Sequence, residues 1–201
     1  MNSPLPNSKV TSINNPTWSL RRATIADIPA IARLIEASAF ELCGKDYARE
    51  QIQGALQGTF GVDTQLIRDQ TYWMVEGPGG LAAAGGWSFR ATLFGSDKHP
   101  ERAAEPAERL DPAHDAARIR AFFVAPTAAR QGLGRRLLQH CEGQAKMHGF
   151  QKLTLFATLS GRRLYETCGF VADPPVDYEV AAGTWMRFVP MHKLIDKPQS
   201  A

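Results

Sequence analysis

The fold is decided by the stretch Val124-Ala-Pro-Thr-Ala-Ala-Arg-Gln-Gly-Leu-Gly-Arg135, which carries the chain from a strand into a long helix. The apolar run Arg118–Val124 predicts the strand, and residues 132–148 predict the helix. Gly149 ends that helix. Its predicted buried face repeats every four residues, at Leu133, Leu137, Cys141 and Ala145.

The turn between this strand and helix has the properties of an anion-binding site. Gly132 and Gly134 carry no side chain that would keep a ligand away from the backbone. The first amides of a helix have no partner within the helix, and the helix dipole makes that end positive. Because Arg130, Arg135 and Arg136 add charge, we predict that the turn binds a phosphate or diphosphate.

Two common phosphate motifs do not fit this stretch. It contains no Gly-Lys-Ser/Thr, so it is not the loop of a nucleoside-triphosphate site. The position three residues after Gly134 is Leu137, which breaks the dinucleotide fingerprint. A purely structural alternative remains, in which the glycines serve only the turn and close packing.

Composition limits the class of protein. A chain of 201 residues with 44% apolar residues can bury one core, and we predict one domain, residues 18–195, between an N-terminal arm, 1–17, and a tail, 196–201. The net charge of +3 comes from scattered basic residues, which does not favour nucleic acid as a partner. No apolar run is long enough for a signal-peptide core or for the roughly 20 residues of a membrane span, so we predict a soluble protein without membrane association.

The chain has three cysteines, Cys43, Cys141 and Cys168, without metal-ligand spacing. An odd number favours neither a disulfide framework nor a zinc site, so we predict no metal and a reducing compartment, the cytoplasm. The pattern places Cys141 on a buried helix face and Cys43 in a loop. No cysteine has an evident His and carboxylate neighbour, which favours direct group transfer over a cysteine-linked intermediate.

Strands and helices alternate along the chain, and one glycine-rich hairpin turn at Gly77–Gly80 indicates a mixed sheet. Thr24–Asp27 reads as a capping box that starts the first helix. The polar segment 95–114 reads as a long surface loop. The other predicted elements are strands at 18–23, 71–76, 81–89, 152–157 and 185–191 and helices at 47–56 and 162–167.

Two ordered motifs resemble the GCN5-related N-acetyltransferase (GNAT) family. In that family a strand ending in Val-x-Pro leads to a loop Gln/Arg-x-x-Gly-x-Gly/Ala and a long helix, which matches Val124 to Gly134. Ala129 stands at the leading Gln/Arg position, with Arg130 and Gln131 beside it. The second match is Tyr165-Glu-Thr-Cys-Gly-Phe170. The resemblance implies an α/β fold with a mixed, mostly antiparallel twisted sheet, flanked by helices, with splayed central strands.

The resemblance also implies where acetyl-CoA binds. Its pantetheine arm would enter between strands 118–124 and 152–157, and the loop amides would hold its diphosphate. The acyl carbonyl would lie near Phe122, polarised by a strand amide. The implied cofactor-binding residues are Phe122, Phe123, Val124, Arg130, Gln131, Gly132, Leu133, Gly134, Arg135 and Ser160.

For catalysis, the resemblance assigns Tyr165 as the general acid that protonates the departing thiolate, with a buried aromatic anchor as the alternative. Arg118 and Arg120 stand where many relatives have a glutamate, so the base is sought just before that strand, at Asp115 or His114. Arg118 and Arg120 share one strand face. They could bind a substrate carboxylate there, or form an ordinary ion pair with an acidic residue of the chain.

The implied activity is acetyl transfer from acetyl-CoA to an amine of a small molecule or peptide. A homodimer is compatible with it. The alternatives are a non-catalytic acyl-CoA-binding module, suggested by Ala129 and the missing glutamate, and a phosphate-binding structural domain. The acceptor pocket would draw on residues 37–60 and the last strands, with the aromatic side chains of Phe40, Tyr47, Phe60, Trp87, Phe89 and Trp185 available.

Overall fold

A computed structural model describes residues 18–99 and 107–195. The predicted arm 1–17, the tail 196–201 and part of the predicted loop, 100–106, lie outside the described residues. The strands are β1 Ser19–Arg22, β2 Tyr72–Gly77, β3 Gly80–Ser88, β4 Ala117–Val124, β5 Lys152–Thr158, β6 Val171–Ala172, β7 Val176–Ala181 and β8 Thr184–Leu194. The helices are α1 Ile28–Cys43, α2 Arg49–Gln57, α3 Thr64–Arg68, α4 Leu133–Met147 and α5 Leu159–Glu166.

The strands form one sheet in the order β1-β2-β3-β4-β5-β8-β6, and β7 pairs with β8. Every pairing is antiparallel except that of β4 with β5. The expectation of a mixed, mostly antiparallel sheet is therefore confirmed. Among the described helices, none has the length and apolar character that crossing a membrane requires.

The centre of the sheet is split. β4 and β5 pair only at Ala117 with Leu153 and Arg118 with Thr154. From there β5 continues in register with β8 as far as Thr158, whereas β4 continues with β3. Beyond Arg118, the edge of β4 that faces β5 has no strand partner among the described residues, and the predicted splay is confirmed.

A β-bulge bends β4 at the start of this gap. The register with β3 shifts between Ala84 and Gly86, and Ala121 has a φ of 56°. Gly85 lies opposite, and a Cβ atom built there would come within 2.5 Å of the Phe122 ring. The missing side chain at Gly85 therefore makes room for Phe122, and the bulge turns β4 away from β5.

The helices cover both faces of the sheet. On one face α4 buries the predicted stripe, and Leu137 and Cys141 are fully buried beside Trp87. On the other face, α1 and α2 pack through Ile31 and Ile52. The α4 stripe follows the helical period, which explains why this element could be placed to within one residue.

Three short elements, α3, β6 and β7, were not predicted, and α5 begins at Leu159, three residues before the predicted start at Arg162. The Thr158 hydroxyl caps α5 by accepting the Gly161 N–H at 3.1 Å. A glycine in the first turn is typical of a loop, and the sequence therefore hid the helix start.

Candidate active site

A cavity of about 640 Å³ extends through the gap between β4 and β5. One end opens at the N-terminal ends of α4 and α5, and the other lies over the opposite face of the sheet. Its lining includes the bulged part of β4 and the aromatic side chains of Phe60, Phe94, Phe156 and Phe188. The cavity therefore connects the predicted anion site to an apolar chamber.

The loop that enters α4 presents a run of unpaired amides. A 3-10 turn at Pro126–Ala128 precedes it, and Arg130 and Gly132 have left-handed φ angles of 62° and 78°. The first amide bonded into the helix is that of Arg136, which donates to the Gly132 carbonyl at 3.0 Å. No acceptor among the described residues takes the N–H groups of residues 130–135. Successive free amides at a helix start are suited to an anion.

All predicted cofactor residues except Gln131 line the cavity. They are Phe122, Phe123, Val124, Arg130, Gly132, Leu133, Gly134, Arg135 and Ser160. The Gln131 side chain instead donates to the Thr127 carbonyl at 3.3 Å. Ser160 donates its hydroxyl to the Asp46 carboxylate.

The two glycines of this loop have different roles. A Cβ atom at Gly132 would meet nothing within 4 Å, so this position faces open space. A Cβ atom at Gly134 would lie 3.0 Å from Leu164. The missing side chain at Gly134 therefore allows α4 to pack closely against α5. Gly132 is therefore the glycine that leaves the entrance of the predicted anion site open.

Tyr165 reaches the cavity from α5. The residue is only 8% exposed, and its ring packs edge-on against Phe170 with centroids 5.8 Å apart. Its hydroxyl has no hydrogen-bond partner among the described residues. Burial raises the pKa of Tyr165 above its ordinary value, so the hydroxyl keeps its proton at neutral pH.

The two candidate bases lie in a turn before β4. The Asp115 carboxylate accepts the Asp111 N–H at 2.7 Å, and His114 Nδ1 is 2.8 Å from the Asp111 carboxylate. Neither is among the described residues that line the cavity. The described lining contains no carboxylate or imidazole, so a proton could reach Asp115 only through water.

The two arginines of β4 both line the cavity but differ in their partners. Arg120 Nε lies 2.9 Å from the buried Asp63 carboxylate, and Arg120 Nη1 donates to the Thr92 carbonyl at 2.9 Å. Arg118 has only a long hydrogen bond, 3.4 Å, from Nη1 to the Thr154 hydroxyl. Burial lowers the pKa of Arg118, and the charge of Asp115 opposes this shift.

Cys43 was expected in a loop but is the last residue of α1, and its side chain lines the cavity. Burial raises the pKa of Cys43 and also that of Cys141. A protonated thiol is a poor nucleophile, which agrees with direct transfer.

Of the six aromatic residues expected near the acceptor, Phe60 lines the cavity. Trp87 and Phe89 pack against each other at 5.8 Å on the α4 side, and Trp185 is 54% exposed. The chamber instead uses Phe94 and residues of β5 and β8. The alternation along β8 could have indicated Phe188, whereas Phe94 lies in an irregular segment without a pattern.

The sequence of residues 111–195 matches the family model of the acetyltransferase (GNAT) domain. The chain has no match among curated protein sequences. The matched residues, 111–195, contain α4, α5 and the two strands that separate, β4 and β5.

Solved structures share the whole fold. A GCN5-related N-acetyltransferase from Rhodopseudomonas palustris is 18% identical over 89% of this chain and 96% of that one, with a TM-score of 0.64. The PaiA N-acetyltransferase from Thermoplasma acidophilum, solved in complex with coenzyme A, is 13% identical over 89% and 99%, with a TM-score of 0.63. YncA from Salmonella typhimurium, solved with its cofactor acetyl-CoA, is 17% identical over 92% and 98%, with a TM-score of 0.60.

Proposed function

We propose that this chain, whose residues 111–195 match the acetyltransferase (GNAT) domain model, is an N-acetyltransferase that moves an acetyl group from acetyl-CoA to an amine. The observation that carries the proposal is the joining of two features in one cavity. The N–H groups of residues 130–135 have no acceptor among the described residues, and all of these residues except Gln131 line the same cavity as Tyr165.

The α4 end of the cavity suits the diphosphate of acetyl-CoA. The amides of residues 130–135 would donate to its oxygens, and Arg130 and Arg135 would add positive charge. The pantetheine arm would then lie in the gap, along the unpaired edge of Phe122–Val124. Coenzyme A in the PaiA structure and acetyl-CoA in the YncA structure support this assignment.

Tyr165 would supply the proton that the leaving group needs. The amine nitrogen attacks the thioester carbon, the C–S bond breaks, and the sulfur takes the phenolic proton. The tyrosinate regains a proton from water, which also receives the proton lost by the amine. The raised pKa of Tyr165 supports this role, because the acid must be protonated before the step.

The amine must enter the reaction neutral. The positive charge of Arg118 in the chamber disfavours an ammonium ion, which lowers the pKa of a bound amine.

Asp115 remains a hypothesis for a base that acts through water. Asp115→Asn should lower kcat if it holds, and an unchanged rate would exclude that role.

Two measurements test the proposal. Calorimetric titration of acetyl-CoA should give saturable binding at one site, and no binding at millimolar ligand would overturn the cofactor assignment. Release of free thiol in the presence of a panel of amines should then show turnover. Binding without thiol release from every amine would contradict the acetyl-transfer mechanism and favour an acyl-CoA-binding module.

A further inference from the structure

The cavity has an apolar end opposite the α4 entry loop, which we call the acceptor chamber. Its walls are Phe60, Phe94, Phe156 and Phe188. Phe94 holds these rings together, with centroid distances of 5.8 Å to Phe156 and 5.6 Å to Phe188. Packed aromatic walls favour an acceptor with an apolar side group.

Arg118 brings to this chamber a charge that forms no ion pair with any described residue, although Asp115 acts on it from a longer distance. Its Nε atom is buried without a hydrogen-bond partner among the described residues, and its one hydrogen bond, to Thr154, is long. No carboxylate of the described residues lies within ion-pair distance of it. Arg118 is half-buried, and a guanidinium that is partly withdrawn from water without a partner costs free energy unless another group pairs with it.

Arg120, two residues further along the same strand, has the partners that Arg118 lacks among the described residues. Asp63 lies 2.9 Å from it, and the Thr92 carbonyl accepts a second group. Among the described residues, an acid lies within ion-pair distance of Arg120 and none does so of Arg118, although both arginines line the cavity.

The charged residues of the described lining also favour an acceptor with a negatively charged group. It includes the cations Arg118, Arg120, Arg130, Arg135 and Arg163 and no carboxylate. A second positive charge on the acceptor would be repelled, whereas a negative one would be attracted.

On the basis of the proposed function, we propose that the acceptor is an amino acid with an apolar side chain and that Arg118 binds its carboxylate. The planar guanidinium matches a carboxylate, which can accept two parallel hydrogen bonds. The strand rise of about 3.3 Å per residue separates Arg118 from Phe122 by roughly 13 Å of backbone. The arginine side chain and an acceptor of amino-acid size together bridge that span.

The test compares product-type ligands that differ only in charge. N-acetyl-phenylalanine, N-acetyl-leucine and N-acetyl-methionine, each beside its carboxamide, are titrated calorimetrically into the full chain saturated with coenzyme A. A charge-assisted hydrogen bond predicts that at least one acid binds about ten- to a hundredfold more tightly than its amide. Arg118→Gln should abolish this preference, and Arg118→Lys, which keeps the charge without the planar fork, should restore part of it.

The matched control is Arg187→Gln, because Arg187 pairs with Asp177 at 2.8 Å on the surface, away from the cavity lining. It should keep the full preference for the acid. The coenzyme A affinity of each variant reports whether the fold is intact.

The inference and the proposed function fail in different ways. Equal binding of acid and amide, no binding of any acid, or a preference that survives in Arg118→Gln overturns the role of Arg118. These results leave acetyl-CoA binding and turnover of other amines untouched. If coenzyme A does not bind, the cofactor assignment fails, and the same titrations without it still measure the role of Arg118.

Discussion

At the scale of single residues, catalysis depends on where one proton is kept. Tyr165 is buried beside Phe170, and its hydroxyl has no partner among the described residues, so in the proposed mechanism it is available to the thiolate. Water would protonate the thiolate more slowly, because it is not positioned at the sulfur.

Replacing Tyr165 with Phe removes the hydroxyl and keeps the ring that packs against Phe170. Loss of a general acid predicts a fall in kcat of about 10²-fold, with the KM for acetyl-CoA nearly unchanged. Steady-state thiol release measures both. Wild-type turnover in this variant would reduce Tyr165 to a packing role.

The raised pKa of Tyr165 also sets the pH profile. An acid is active below its pKa, and this pKa lies above the ordinary value of about 10. We therefore expect no loss of kcat from Tyr165 between pH 7 and pH 10. A decline centred near pH 9 in the wild type that disappears in Tyr165→Phe would contradict the shift.

Gly132→Ala separates backbone strain from ligand contact. Gly132 has a φ of 78° and Gly183, in the β7–β8 turn, a φ of 72°, and a Cβ atom at either would meet nothing within 4 Å. Each change to Ala should cost about 1–2 kcal/mol of unfolding free energy, because both force a left-handed conformation on a residue with a side chain.

Only Gly132→Ala should weaken acetyl-CoA binding, because only that methyl group enters the predicted diphosphate site. Urea denaturation and calorimetry measure the two effects. Equal cofactor affinity in both variants would place the diphosphate elsewhere.

Residues whose chemistry follows from local order could be identified before the structure was known. Gly132, Arg130 and Tyr165 lie in motifs, and the structure brings them to one cavity. Phe94 had no such motif, because it reaches the chamber only through the tertiary path of segment 89–99. The sequence also could not show which of the two β4 arginines is paired. Asp63, which pairs with Arg120 and not with Arg118, is 57 positions away from Arg120 in the sequence.

At the scale of elements, the Asp63–Arg120 ion pair ties α3 to β4. Asp63 is fully buried, lies 2.9 Å from Arg120 Nε and caps α3 by accepting the Leu66 N–H at 3.2 Å. Gly95 packs against this pair so closely that a Cβ atom there would collide with an Asp63 carboxylate oxygen. The segment around Phe94 is therefore placed by the same buried charges.

Asp63→Ala should strongly destabilise the fold. Removing one partner of a buried pair typically costs about 3–5 kcal/mol, because the remaining charge has no counter-ion. Asp177→Ala is the matched control, since its pair with Arg187 is just as short, 2.8 Å, but exposed. It should change stability far less. Equal urea midpoints for the two variants would show that burial of the Asp63 pair contributes nothing.

The long periodic elements could be predicted, whereas α3, β6 and β7 could not. α4 repeats its apolar residues over 15 residues, whereas α3 has five residues and β6 two. Elements this short are fixed by tertiary pairing, such as that of Val171 with His192, and not by local preference.

At the scale of the whole molecule, the sheet is divided, but the apolar core on its α4 side is continuous across the division. β4 and β5 share two paired positions, yet one apolar cluster includes Trp87 of β3, Leu153 of β5 and Met191 of β8. We therefore expect the split to admit a ligand without dividing the fold into two independent domains, and we expect unfolding to be cooperative.

Acetyl-CoA bound in this split should stabilise both halves of the sheet together. A ligand that binds only the native state at 100 times its Kd adds about 2.7 kcal/mol to the unfolding free energy. Because the common core couples the halves, hydrogen-exchange protection should rise in β2 and β3 as well as in β5 and β8. Mass-spectrometric exchange with and without acetyl-CoA measures this, and Gly132→Ala should reduce the gain in all four strands at a fixed ligand concentration. Protection confined to β5 and β8 would mean that the two halves of the sheet unfold separately and that the shared core does not couple them.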